Sequence, residues 1–196
     1  MPARTPPAHR PTTRLDPRQP FVLDVRELGR RPGSMRAIRT EIPAPAGMSV
    51  GMAAIPDGEP LTLDLRLESV VEGVLVSGTV TAPLTGECAR CLTPVSDTVT
   101  VPLTDLFAYP DSATEQTSEE DEVSHLVGDM LDLEPVVRDA LVLDLPLSPL
   151  CRDDCRGLCA DCGERLDDLP ADHTHTTTDP RWAALAERFG GSPEKE

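Results

Sequence analysis

Between Leu61 and Glu68 the chain reads Leu-Thr-Leu-Asp-Leu-Arg-Leu-Glu, apolar and polar in strict alternation. Successive side chains of a strand point to opposite faces, so this run predicts a half-buried β-strand with Leu61, Leu63, Leu65 and Leu67 inward. Val70 and Val71 continue it, Glu72-Gly73 turns the chain, and residues 74–82 return as a second strand. Alternation resumes over residues 95–106, with Val95, Val99, Val101 and Leu103 the apolar members. The runs predict an antiparallel meander with Gly86-Glu87-Cys88-Ala89-Arg90-Cys91-Leu92 at one hairpin tip. A sheet with one apolar face needs a covering layer. Residues 132–141 supply a candidate helix, with Asp132 as N-cap, Pro135 in the first turn, and Leu133, Val136, Val137, Ala140 and Leu141 on one stripe.

Weaker patterns fill the rest. Residues 21–28 suggest a strand entering a short turn, broken by Arg30-Arg31-Pro32-Gly33. Residues 35–42 suggest a strand ended by Pro43, and residues 43–60 a loop with a short strand near 48–52. The acidic run 111–122 has the composition of a disordered loop. Leu145-Pro146-Leu147-Ser148-Pro149 ends the helix and delivers the chain to Cys151. Near the end, Asp179 caps and Pro180 opens a short helix with Trp182, Leu185 and Phe189 on one face, Trp182 serving packing. The expected class is α+β: an antiparallel β-meander or barrel-like sheet covered by one or two short helices. The expected organisation is a disordered Pro/Arg-rich arm at 1–20, a β-rich domain at 21–150, and a Cys-rich metal segment with a terminal helix at 151–190.

Composition narrows this picture. Aromatic residues are 3% of the 196, so the core is built from Leu, Val, Ile and Ala. The formal net charge is −16, unevenly spread: residues 1–40 carry nine Arg against three acids, a balance of +6, and the remainder carries −22. The sequence has no apolar run of roughly 18 residues that would span a bilayer, and residues 1–20 lack the apolar stretch of a secretory signal. A reducing, cytoplasmic setting is therefore expected, without membrane contact.

Chemistry concentrates in Cys151-Arg152-Asp153-Asp154-Cys155-Arg156-Gly157-Leu158-Cys159-Ala160-Asp161-Cys162-Gly163, which holds four of the six cysteines. The last C-x2-C reads as a zinc knuckle: the turn aims backbone N–H groups at the sulfurs, and Gly163 can take a positive φ. Cys151, Cys155 and Cys159 are four apart, and on helical turns they share one side. Four thiolates in one short segment favour a closed structural zinc site. Disulfides require an oxidising compartment. An iron–sulfur cluster of the spacing Cys155, Cys159, Cys162 belongs with a large βα barrel that this chain does not supply.

The second pair, Cys88 and Cys91, has three possible uses: it joins Cys159 and Cys162 in a two-knuckle ribbon, forms a separate reactive dithiol, or holds a second, incomplete metal site. The distal four are favoured as the main site because they are local and self-sufficient. His173 and His175 lie close enough in sequence to be ligands, but a His-Thr-His alternation in a Thr run more often marks a solvated loop. With no nucleophile elbow, phosphate loop or paired-histidine motif, no catalytic residue is assigned and no small-molecule substrate is expected.

The strand 61–67, the Cys88–Cys91 tip, the run from Pro149 to Gly163, and the terminal Asp179-Pro180-Arg181-Trp182-x-x-Leu185 together resemble the YceD family of bacteria and plastids. The likeness covers roughly residues 20–190, with the Cys-Arg-Asp-Asp-Cys-Arg-Gly-Leu-Cys-Ala-Asp-Cys-Gly run its most specific part, and the Arg-rich composition resembles that of an actinobacterial member. The resemblance implies a non-enzymatic role in accumulation of large-subunit ribosomal RNA, and a gene often placed beside one for a large-subunit ribosomal protein. Some relatives keep only the first C-x2-C, so the two cysteine groups need not form one site. The partner implied is a large-subunit ribosomal protein or a ribosomal RNA precursor. A C-x2-C thiol oxidoreductase, or a zinc-dependent adaptor outside ribosome assembly, is the alternative.

Overall fold

The computed structural model describes residues 14–110, 112–114, 123–175, 181 and 188. Two long strands form its spine. β6 (Gly73–Glu87) and β7 (Pro94–Ala108) pair antiparallel along their whole length, from Gly73 opposite Ala108 to Glu87 opposite Pro94. The other edge of β6 is shared. Its first half pairs with β5 (Pro60–Ser69), which pairs in turn with β2 (Met35–Pro43). Its far end pairs with β4 (Ala53–Ala54), which forms a small hairpin with β3 (Ser49–Val50). β8 (Ser124–His125) adds in parallel to the end of β7. A separate two-stranded sheet joins β1 (Val22–Asp24) to β9 (Met130–Asp132).

Among the described residues the larger sheet ends at β2, at β3 and at β8. It is thus an open, mostly antiparallel sheet rather than the barrel-like form also expected. The meander is present with the tip at Cys88 and Cys91, and the alternation in β5 works as expected: Leu61, Leu63, Leu65 and Leu67 are all at or below 2% exposure. Opposite Leu65 stands Gly78, at φ 153, where a Cβ would lie 2.1 Å from the Asp64 carbonyl oxygen. Only glycine lets the two strands approach there.

The covering layer is the helix α1 (Glu134–Asp144), which lies across β7. Val137 and Leu141 are buried on it, flanked by Leu133 and Leu145 at its ends. The N-cap position is Leu133 rather than Asp132. Asp132 still satisfies the helix start, its Oδ1 accepting the Glu134 N–H at 2.9 Å from one residue further out. Arg138 pairs with Glu134 at 2.9 Å one turn back and donates to the Ala46 carbonyl, tying the helix to the loop before β3.

The basic segment of residues 1–40 is built into the fold from Phe21 onward. β1, a 3-10 turn at Arg26–Leu28, and β2 all lie within or begin in it, and Phe21, Val25 and Leu28 join the core. Several of its arginines face acids: Arg36 lies 3.8 Å from Glu27, and Arg39 lies 3.9 Å from Asp64. Residues 1–13, most of the acidic run 111–122 and the helix expected around Trp182 lie outside the described residues.

Candidate metal centre

The six cysteines do not gather as one local group. Cys88, Cys91, Cys151 and Cys155 bring their sulfurs within 4.8 Å of one another, and Cys159 and Cys162 lie instead with His173 and His175 at the same spacing. The upstream pair therefore meets the first half of the distal run. Neither the local four-cysteine site nor the ribbon pairing with Cys159 and Cys162 describes this arrangement.

The first group is built on the β6–β7 tip. A tight turn closes it: Cys88 N–H donates to the Thr93 carbonyl at 2.8 Å, and Leu92 N–H donates to the Cys88 carbonyl at 2.8 Å. Leu92 has a positive φ of 58°, the only such non-glycine among the described residues. The tip then recruits the distal segment through its backbone. Ala89 N–H donates to the Pro149 carbonyl at 2.8 Å, and Leu158 N–H donates to the Arg90 carbonyl at 3.1 Å. Arg90, between the two cysteines, sends its guanidinium to the carbonyls of Asp153 (3.2 Å) and Cys155 (2.9 Å). Gly157, at φ 82, passes so close that a Cβ would sit 3.1 Å from the Arg90 carbonyl oxygen.

The distances test what this group fits. Cys88 and Cys155 sulfurs are 3.8 Å apart, and Cys91 and Cys151 sulfurs 3.6 Å. A disulfide needs about 2.05 Å. Zinc–sulfur bonds of about 2.3 Å on a tetrahedron put neighbouring sulfurs about 3.8 Å apart. Both distances fit neighbouring ligands of one metal ion, and all the cysteines are free thiols. Cys88, Cys91 and Cys155 are buried together against Val95, Leu150 and Leu158, a small cluster separate from the main core.

The thiols also resist sharing the space as equals. Cys88 is pulled down to about 6, chiefly by the backbone N–H of Cys151. Cys91 is lowered too, first by the hydroxyl of Thr93, 3.1 Å from its sulfur. Cys151 is pushed up to about 12 by burial and then by the Cys91 thiol, and burial likewise raises Cys155. Two of the four thus favour the thiolate and two the thiol. A dication is what allows four thiolates this close together.

In the second group Gly163 takes the positive φ expected of it, at 76, and donates its N–H to the Cys159 carbonyl at 2.9 Å. Cys159 N–H donates to the Glu164 carbonyl at 2.7 Å, and Leu158 and Arg165 form an antiparallel bridge. The Cys159 thiol is pulled down to about 6, first by the backbone N–H of Cys162 and then by that of Asp161. The chain returns through a turn in which His173 N–H donates to the Pro170 carbonyl at 3.0 Å, placing His173 Nε2 3.6 Å from the Cys162 sulfur. The sequence reading passed over both histidines as loop residues. The available signal was His173 and His175 following the Cys159–Cys162 pair, with His173 11 residues after Cys162.

A family model described as "Large ribosomal RNA subunit accumulation protein YceD" matches residues 76–187, a span that takes in every cysteine and both of these histidines. Uncharacterized proteins of Mycobacterium tuberculosis and Mycobacterium bovis are 52% identical over 188 residues, covering 96% of this chain and 89% of theirs. An uncharacterized protein of Mycobacterium leprae is 50% identical over 168 residues, covering 86% and 77%. No solved structure matches the chain.

Proposed function

The chain belongs to the YceD family, and from that membership we propose that it is a non-enzymatic, zinc-stabilised factor in accumulation of large-subunit ribosomal RNA. The observation that carries the metal part is the convergence of Cys88, Cys91, Cys151 and Cys155 at distances that fit the ligands of one metal ion. Four cysteines leave no ligand position open for a reacting water, which is the pattern of a structural zinc. The zinc would hold residues 149–158 against the hairpin tip, where few apolar side chains do so. The setting also argues against a thiol oxidoreductase. Such a dithiol works from the start of a helix with one thiol exposed, whereas Cys88 and Cys91 are buried on an antiparallel hairpin beside two further thiols.

The partner is a basic large-subunit ribosomal protein. From residue 41 onward the formal balance is −22, which repels phosphate and attracts a basic surface. No helix among the described residues is long and apolar enough to cross a membrane. Because β1 and β2 occupy residues 22–43, removal of the first forty residues would break the sheet, and the test uses the full chain. Titration with salt should weaken its binding to a basic large-subunit ribosomal protein, while naked ribosomal RNA should bind poorly at every salt concentration. Tight binding to RNA with indifference to basic ribosomal proteins would show that the charge argument is wrong.

A further inference from the structure

Cys162 and His175 are exposed, and Cys159 and His173 are only partly covered. Exposed thiols and imidazoles gain little from packing, so hydrophobic burial does not explain why four of them converge. Yet their ligand atoms lie within 4.8 Å of one another, and the two imidazole rings meet edge to face with centroids 4.4 Å apart. Backbone hydrogen bonds fix both halves: the turn from Cys159 to Gly163 holds the sulfurs, and the turn ending at His173 presents the nitrogens. Arg156 donates to the Leu166 carbonyl at 3.0 Å, and Arg152 pairs with Asp167, so the returning chain is held beside the first centre.

We propose that Cys159, Cys162, His173 and His175 form a second zinc site, so that the chain carries two metal ions of unequal lability. Two thiolates and two neutral imidazoles suit a tetrahedral, borderline-soft dication and balance its charge. The donor set is closed, so the ion orders residues 159–175 and performs no chemistry on a substrate. The first centre keeps three of its cysteines at or below 4% exposure, whereas the second opens to water on the side of Cys162 and His175. The second ion therefore exchanges faster. This inference is independent of the first centre, because the two ligand sets share no residue.

Native mass spectrometry of the full chain, loaded with zinc and desalted, counts the ions. Two are expected in the wild type and one in the His173→Ala/His175→Ala double variant, with the β-sheet circular dichroism of the two proteins superimposable. Cobalt titration should give a four-sulfur spectrum and a two-sulfur, two-nitrogen spectrum in turn, and a chelator should strip the mixed site first. A His173→Cys variant should keep both ions and shift the mixed spectrum toward sulfur. A wild type that holds a single ion, unaffected by the histidine substitutions, overturns the proposal and leaves the first centre intact. Two ions retained by the double variant also overturn it, because the histidines are then not ligands. A Cys88→Ser/Cys151→Ser variant that keeps only the mixed spectrum supports the second site while isolating it from the first.

Discussion

Tyr109 closes the core beside the end of β7, and its hydroxyl meets that of Ser69 at 2.9 Å where Ser69 is fully buried. Tyr109→Phe removes one partner and leaves the other without water or protein, a loss of about 1–3 kcal/mol. A urea melt should show it as a lower midpoint with unchanged slope. At the cysteines, exposure and reactivity separate. Cys151 is exposed as a residue, but its thiol is pushed up to about 12, whereas Cys159 is half-buried and pulled down to about 6. The thiolate is the nucleophile. In metal-free protein near neutral pH, iodoacetamide should therefore modify Cys159 well before Cys151. As the pH falls through about 6, Cys159 protonates and its rate should fall. Mass mapping of the alkylated cysteines checks both statements, and zinc should suppress the labelling.

At the scale of elements, the β6–β7 hairpin connects the core to the cysteines, and Arg90 is its grip on the distal segment. Arg90→Ala removes both bonds to the Asp153 and Cys155 carbonyls. Hydrogen exchange should rise over residues 153–158 and stay level in β5 and β6. Both bonds leave from one nitrogen, Nη1, so Arg90→Lys, whose ammonium also carries several donors on one nitrogen, should recover part of the protection. Much of this architecture was legible beforehand. The leucines of β5 announce their face through period two, and α1 through its apolar stripe. The length of β6 was harder, since Pro83 and Gly86 suggest an earlier end; pairing with β7 carries the strand through them. The grouping of the cysteines was not legible from spacing. A run of four suggested self-sufficiency, but Cys91 and Cys151 meet across 60 residues, and local periodicity holds no information about contacts so distant. The histidines were missed because a polar Thr-rich stretch looks alike whether or not a turn folds it back.

For the whole molecule, a metal at the first centre is a cross-link between distant parts of the chain. Closing a loop of 60 residues removes entropy from the unfolded state worth about 4 kcal/mol on the chain-entropy estimate for disulfides. Chelation of the zinc-loaded protein should accordingly lower its melting temperature. Exchange should rise first in residues 149–175, while the strands from Leu61 to Ala108 keep their protection. Equal loss of protection everywhere would mean that the sheet also depends on the metal. The same long span sets an order of events during synthesis. The hairpin tip is made first, and the ribosome must add 60 more residues before Cys151 exists. At 5–20 residues per second that interval is about 3–12 seconds. Throughout it the nascent chain displays a dithiol neither of whose partners has been made, and its quality as a protein depends on that pair reaching Cys151 and Cys155 unoxidised.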